Sequence, residues 1–194
     1  MKYNAIVIGV SAGGMEALST IIPQLSPDLP VPVLIVQHMS PDSDSYLIER
    51  LNELSDIKVK EAEDKEKVRE GVVYFAPPNY HLLVDDEGIL SLSGDERVNY
   101  ARPAIDVLFE SAADVYCPGL IGVILTGANQ DGSAGLKKIK EEGGIAIVQD
   151  PETAFVDRMP RAALEVVEAD HILPLETIGA MLNTLAIIDS IVLD

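Results

Sequence analysis

The sequence predicts a doubly wound α/β fold: a three-layer α/β/α sandwich around a mostly parallel sheet, with a β-hairpin appended. Three observations carry this expectation. Short apolar runs, rich in β-branched residues, recur at 5–10, 31–36, 72–76, 120–125 and 145–148. They are nearly continuous, as strands buried on both faces must be. Segments with helical spacing separate most of them, and turn-forming residues end them.

The elements follow in order. Ala5 to Val10 is the first strand, and Gly9-Val10-Ser11-Ala12-Gly13-Gly14 turns it into a helix that runs through Leu18 to Leu25 and stops at Ser26-Pro27. Val31 to Val36 is the second strand, ending at Gln37-His38-Met39. A helix is predicted from Pro41-Asp42 through Leu54, with Ser40 or Asp42 as its N-cap. Ile57 to Ala62 alternates weakly as a short strand, and the mixed charges of Glu61 to Glu70 read as solvated surface.

Val72 to Ala76 is a strand stopped by Pro77-Pro78. His81 to Val84 and Ile89 to Leu92 form a hairpin around Asp86-Glu87-Gly88, and Asp95 to Pro103 reads as polar loop. Pro103 is expected to open a helix to about Tyr116. Leu120 to Leu125 is a buried strand running into the turn-rich Thr126 to Gly132. A helix to Glu142 follows, capped by Gly143-Gly144. Strand 145–148, helix 159–167, strand 172–173 and helix 177–188 complete the alternation.

No repeat, low-complexity segment or linker interrupts this pattern, so residues 1–194 are expected to form one domain. No apolar run reaches the roughly 18 residues that span a bilayer, which predicts no direct membrane insertion. Cys117 is the single cysteine. It rules out an internal disulfide and fits a reducing, cytoplasmic setting. The net charge of −18, from 32 acidic and 14 basic residues, argues against nucleic acid and anionic lipid as partners.

In sheets of this kind, sites form where loops leave the carboxyl ends of strands. Three such loops carry reactive side chains: Ser11 after the first strand, His38 after the second, and Asp131 after the strand ending at Leu125. Residues 9–13 spell G-x-S-x-G, an elbow that exposes a serine over a sheet. Acyl transfer needs a hydroxyl, an imidazole to take its proton, and a carboxylate to orient that imidazole. Read singly, Ser11 can be a helix cap, His38 a structural histidine and Asp131 a turn former. The order Ser, His, Asp also differs from that of the α/β-hydrolases. His81 and His171 follow no strand end with turn glycines and are read as structural.

A dinucleotide loop would need glycine where Ser11 stands and an acid where Val36 stands, so a Rossmann cofactor is not expected. No cluster of His, Cys or carboxylates has metal-ligand spacing, so no metal and no other cofactor is expected.

At these residues the chain resembles a known family, the catalytic domain of the chemotaxis protein-glutamate methylesterases (CheB). The matching stretches are IGVSAGGMEAL from Ile8, VQHMSP from Val36, YFAPPNYHLLV from Tyr74 and RPAIDVLFESAA from Arg102. GVILTGANQDGSAGL from Gly122 and MPRAAL from Met159 complete the series, which covers nearly the whole chain. The resemblance implies a triad of Ser11, His38 and Asp131, with backbone N–H groups of Ala12, Gly13 and Ala128 as candidate oxyanion donors. It implies hydrolysis of glutamyl methyl esters on the cytoplasmic helices of methylated chemoreceptors, and deamidation of certain glutamines. Ala12 and Ala128 stand where many members have threonine and methionine. The first strand begins almost at Met1, which predicts either a stand-alone esterase without the receiver domain of two-domain members or a fragment of a longer chain. Two other readings stay open here: a binding or scaffold module of a signalling array, and a general carboxylesterase.

Overall fold

The computed structural model describes residues 3–38 and 46–188. Seven parallel strands form one sheet in the order β3-β4-β2-β1-β7-β8-β9. They are β1 Ala5–Val10, β2 Val33–Gln37, β3 Lys58–Glu61, β4 Val72–Phe75, β7 Leu120–Ile124, β8 Ile145–Gln149 and β9 His171–Leu173. Alternate residues of β1 feed opposite cores. Ile6, Ile8 and Val10 pack toward α1 (Gly14–Ile21), α2 (Tyr46–Leu54) and α6 (Leu175–Ile188). Ala5 and Val7 face α3 (Ile105–Tyr116), α4 (Ser133–Glu141) and α5 (Arg158–Val166). This period-two division of a fully apolar strand is what a sheet covered on both faces requires.

The structure differs from the expectations at several boundaries. α1 ends at Ile21, and the chain continues as a 3₁₀ turn over Ile22–Gln24 because Pro23 has no N–H to extend the helix. The start of the 41–54 helix, with its N-cap Ser40 or Asp42, lies outside the described residues. α3 starts at Ile105, with Ala104 at its N-cap, rather than at Pro103.

The hairpin, β5 (His81–Val84) with β6 (Leu90–Ser93), is antiparallel as expected but forms a separate two-stranded sheet rather than extending the main one. It packs on α3, burying Leu82 and Leu90 in the same core as Phe109. Its His81 is structural: Nδ1 accepts from the Ala104 N–H at 3.2 Å, so Nε2–H donates to the Glu96 carbonyl at 2.9 Å.

From β1 the chain steps to β2, then to β3 at the sheet edge and back to β4 between them, before crossing to the other side of β1 with β7. Strand order reverses beside β1, and there the carboxyl-end loops of β2, β1 and β7 sit side by side. That reversal is where ligands bind open α/β sheets.

Candidate active site

The elbow after β1 is set by backbone geometry. Gly13 has φ +81°, and a Cβ there would lie 2.7 Å from the Cβ of Phe155, so both conformation and space demand glycine. Ser11, half-buried, donates its N–H to the Thr126 carbonyl at 2.9 Å. This bond ties the end of β1 to the end of β7. On the other side, the His38 N–H donates to Val10 O at 3.0 Å, extending the β1–β2 ladder by one step. Gln37, nearly buried, reinforces that join: its Nε2 donates to the carbonyls of both Ser11 (3.0 Å) and His38 (2.9 Å).

The three singled-out side chains therefore leave adjacent strand ends. His38 Nε2 lies 2.8 Å from Asp131 Oδ2. An ionised carboxylate only accepts, so Nε2 carries the proton and Nδ1 presents its lone pair. Among the described residues no hydrogen bond joins Ser11 Oγ to the ring. Such bonds commonly tighten only when substrate arrives.

Asp131 is fully buried, yet it is better satisfied than its sequence context predicts. Oδ2 accepts from His38 and from the Ile105 N–H at 2.6 Å, and Oδ1 from Asn99 Nδ2 at 2.8 Å and the Asp106 N–H at 3.1 Å. The two amides are first-turn donors of α3, which no intrahelical acceptor serves. Asp131 thus caps a distant helix, and that helix's positive end faces its charge. Burial alone would raise the carboxyl's pKa. The hydrogen bonds from His38, Ile105, Asn99 and Asp106 outweigh it and hold the group below the ordinary 3.8.

Sequence reasoning missed Gln37, Thr126, Asn99 and Asp106. Asn99 lies in the stretch read as polar loop. It is the first central residue of a tight turn in which Val98 and Ala101 exchange both backbone hydrogen bonds. Asn99 and Tyr100 both have positive φ, 50° and 65°, as a type I′ turn requires. The only sequence signal was an asparagine, a residue that tolerates that conformation.

Among the candidate oxyanion donors, the N–H groups of Ala12, Gly13 and Ala128 have no acceptor among the described residues. Ser11 N–H is occupied by Thr126. A recess of about 240 Å³ opens beside His38, lined also by Arg97, Tyr100, Arg102 and Asn129. A second, of about 220 Å³, shares Asn99, Tyr100 and Asn129 with the first and includes Ala128 and Arg158. Among the described residues, no group of three or more His, Cys, Asp or Glu side chains is placed to hold a metal ion.

Comparison with known proteins places these loops in a family context. Residues 6–182 match the family described as CheB methylesterase. A Leptospira interrogans protein, provisionally named protein-glutamate methylesterase/protein-glutamine glutaminase, is 55% identical over 181 residues, 93% of this chain and 94% of that one. The protein-glutamate methylesterase/protein-glutamine glutaminase of Symbiobacterium thermophilum is 46% identical over 179 residues, covering 92% of this chain but 49% of that protein. The crystal structure of the Thermotoga maritima CheB methylesterase catalytic domain superposes with a TM-score of 0.91 at 39% identity, covering 95% of this chain and 100% of that one.

Proposed function

The chain belongs to the CheB methylesterase family, and from that premise we propose that its residues 1–194 act as one catalytic domain, a serine hydrolase removing methyl esters from glutamate side chains. The observation that carries this reading is the 2.8 Å pairing of His38 with a buried, four-fold satisfied Asp131, one strand from Ser11.

Ser11 Oγ attacks the ester carbonyl carbon as its proton passes to His38 Nδ1. Asp131 stabilises the resulting imidazolium through Nε2–H and keeps the ring in its productive tautomer. The carbonyl oxygen takes up the negative charge and is met by N–H groups of Ala12 or Gly13, with Ala128 across the cleft. His38 returns the proton to the departing methoxide, releasing methanol and leaving a glutamyl ester on Ser11. Water, deprotonated by His38, then attacks that ester. Its collapse releases the glutamate carboxylate and restores the serine. With a glutamine side chain the same steps release ammonia.

The partner is a methylated signalling protein of the chemoreceptor type, engaged through its cytoplasmic helices, which places the protein in the cytoplasm. The charge distribution supports an acidic partner surface. Although the chain carries −18 overall, the residues flanking the two recesses beside His38 and Tyr100 include three of its cations, Arg97, Arg102 and Arg158. Arg97 and Arg158 have no side-chain partner among the described residues.

A fluorophosphonate probe tests the reading. It should label Ser11 covalently in the native protein and stop labelling when the fold is denatured. A protein that binds methylated receptor tightly, yet neither labels nor releases methanol, would be a binding module instead. Faster turnover on simple aryl esters than on methylated receptor would make it a general carboxylesterase.

A further inference from the structure

Behind the catalytic acid lies a second buried carboxyl that the mechanism above does not use. Asp106, on the first turn of α3, accepts the Gly135 N–H at Oδ1 (2.7 Å) and Asn99 Nδ2 at Oδ2 (2.8 Å). The same Asn99 nitrogen donates to Asp131 Oδ1 at 2.8 Å. One amide therefore spends both its protons bridging two carboxylates. Both contacts are to acceptors, so the nitrogen end of Asn99 is the only orientation that satisfies them together. The turn that carries Asn99 is itself costly. Its other central residue, Tyr100, stands at φ 65° and is 97% exposed, so no burial offsets the strain. The side chain of Asn99 holds that turn against the triad acid.

We propose that Asn99 is a positioning residue for the hydrolysis, bridging Asp106 to Asp131 so that the triad acid keeps its alignment with His38 only while Asp106 is ionised. The inference rests on the esterase reading above. A proton on Asp106 Oδ2 turns that acceptor into a donor aimed at the Asn99 N–H. If the amide reverses to accept it, its oxygen faces Asp131 Oδ1. Either way one of the two bonds is lost, and Asp131 keeps three donors instead of four.

The proton has a route and a pH at which it binds. A recess of about 350 Å³ reaches Asp106, lined also by Ser133 and Lys137 of α4 and Glu165 of α5. The charged groups facing Asp106 are thus Asp131 from the loop, Glu110 on its own helix, Lys137 and Glu165. Burial, with the nearby charges of Asp131 and Glu110, raises its carboxyl to about 6.

The test is the acid limb of kcat/KM on a small methyl ester. The wild-type limb should carry the proton that a general base must shed and a second one taken up by Asp106 near pH 6, so that the logarithmic limb approaches a slope of two. Asn99→Gly keeps the positive-φ turn and removes the bridge. It should lower kcat about 100-fold with KM within about twofold, and its limb should fall back to one proton. A purely structural role for Asn99 would lower the whole profile without changing its shape. An active wild type with a one-proton limb overturns the proposal by itself, whether or not the variant folds. So does an Asn99→Gly enzyme with an unchanged two-proton limb. A wild type that hydrolyses no ester overturns the esterase reading, and this proposal with it.

Discussion

The two halves of the proposed triad are built by opposite means. Asp131 is buried, capped onto α3 and held by four donors that converge from three separate segments. Ser11 is half-exposed and is positioned by its backbone alone: the Thr126 carbonyl on one side, the Gln37 amide on the other and the glycine turn behind. The difference fits what each group does in the proposed mechanism. The acid must hold a full charge without moving, which in a dry site requires every lone pair to be met. The nucleophile must meet a substrate arriving from solvent, so its hydroxyl is left open while its backbone is clamped.

Substitutions can break this contrast, and the largest effect should come from the open half. Ser11→Ala removes the proposed nucleophile and should cut turnover by about 10⁴–10⁶ while leaving the thermal melt unchanged, since nothing described bonds to its hydroxyl. Steady-state release of methanol measures the first and circular dichroism the second. On the buried half, Asp131→Asn should cost about 10⁴ in kcat, by freeing the wrong histidine tautomer. It should also lower the melting temperature, because the amide presents an N–H to one of the two α3 amides or to His38. The two variants thus differ in stability more than in activity.

Gln37→Leu attacks the join between the halves. It leaves both Ser11 and His38 in place but removes the donor shared by their carbonyls, and kcat should fall about 10- to 100-fold with unchanged fluorophosphonate stoichiometry. Arg97→Ala and Arg158→Ala act outside the triad. Each should raise KM for a methylated acidic peptide about two- to fivefold, as exposed ion pairs do, with no change on a neutral aryl ester. The effect should fade at high salt.

The smallest effect is on stability against pH. Asp131, with its folded pKa depressed, contributes stability that is present above its unfolded value of 3.8 and lost as pH falls below it. Asp106, with its folded pKa raised to about 6, works the other way. The folded state binds the extra proton between 3.8 and about 6, so this group's contribution falls as pH rises through that window. Urea unfolding of Asp106→Asn should lack that component, and the same slope in both proteins would reject the assignment.

Much of this was legible from the residues. β1, its glycine elbow and α1 are contiguous, and the period-two burial of an all-apolar strand needs no distant partner to be read. Ser11, His38 and Asp131 were marked by their places at strand ends, where an α/β sheet collects its chemistry. Asn99 and Asp106 were not. Asn99 sits in a stretch whose composition reads as solvated loop, and Asp106 resembles any acid on the first turn of a helix.

What the sequence alone determined was the order of elements and the strand-end loops that carry Ser11, His38 and Asp131, because local propensity and apolar periodicity are written over a few neighbouring residues. Only the tertiary structure decided which helix Asp131 caps, which nitrogen of His38 it holds, and that one asparagine bridges two carboxylates. Those bonds join residues 7 to 93 positions apart, and most such pairings leave no local pattern, since the donor and acceptor meet only after the sheet has brought their loops together.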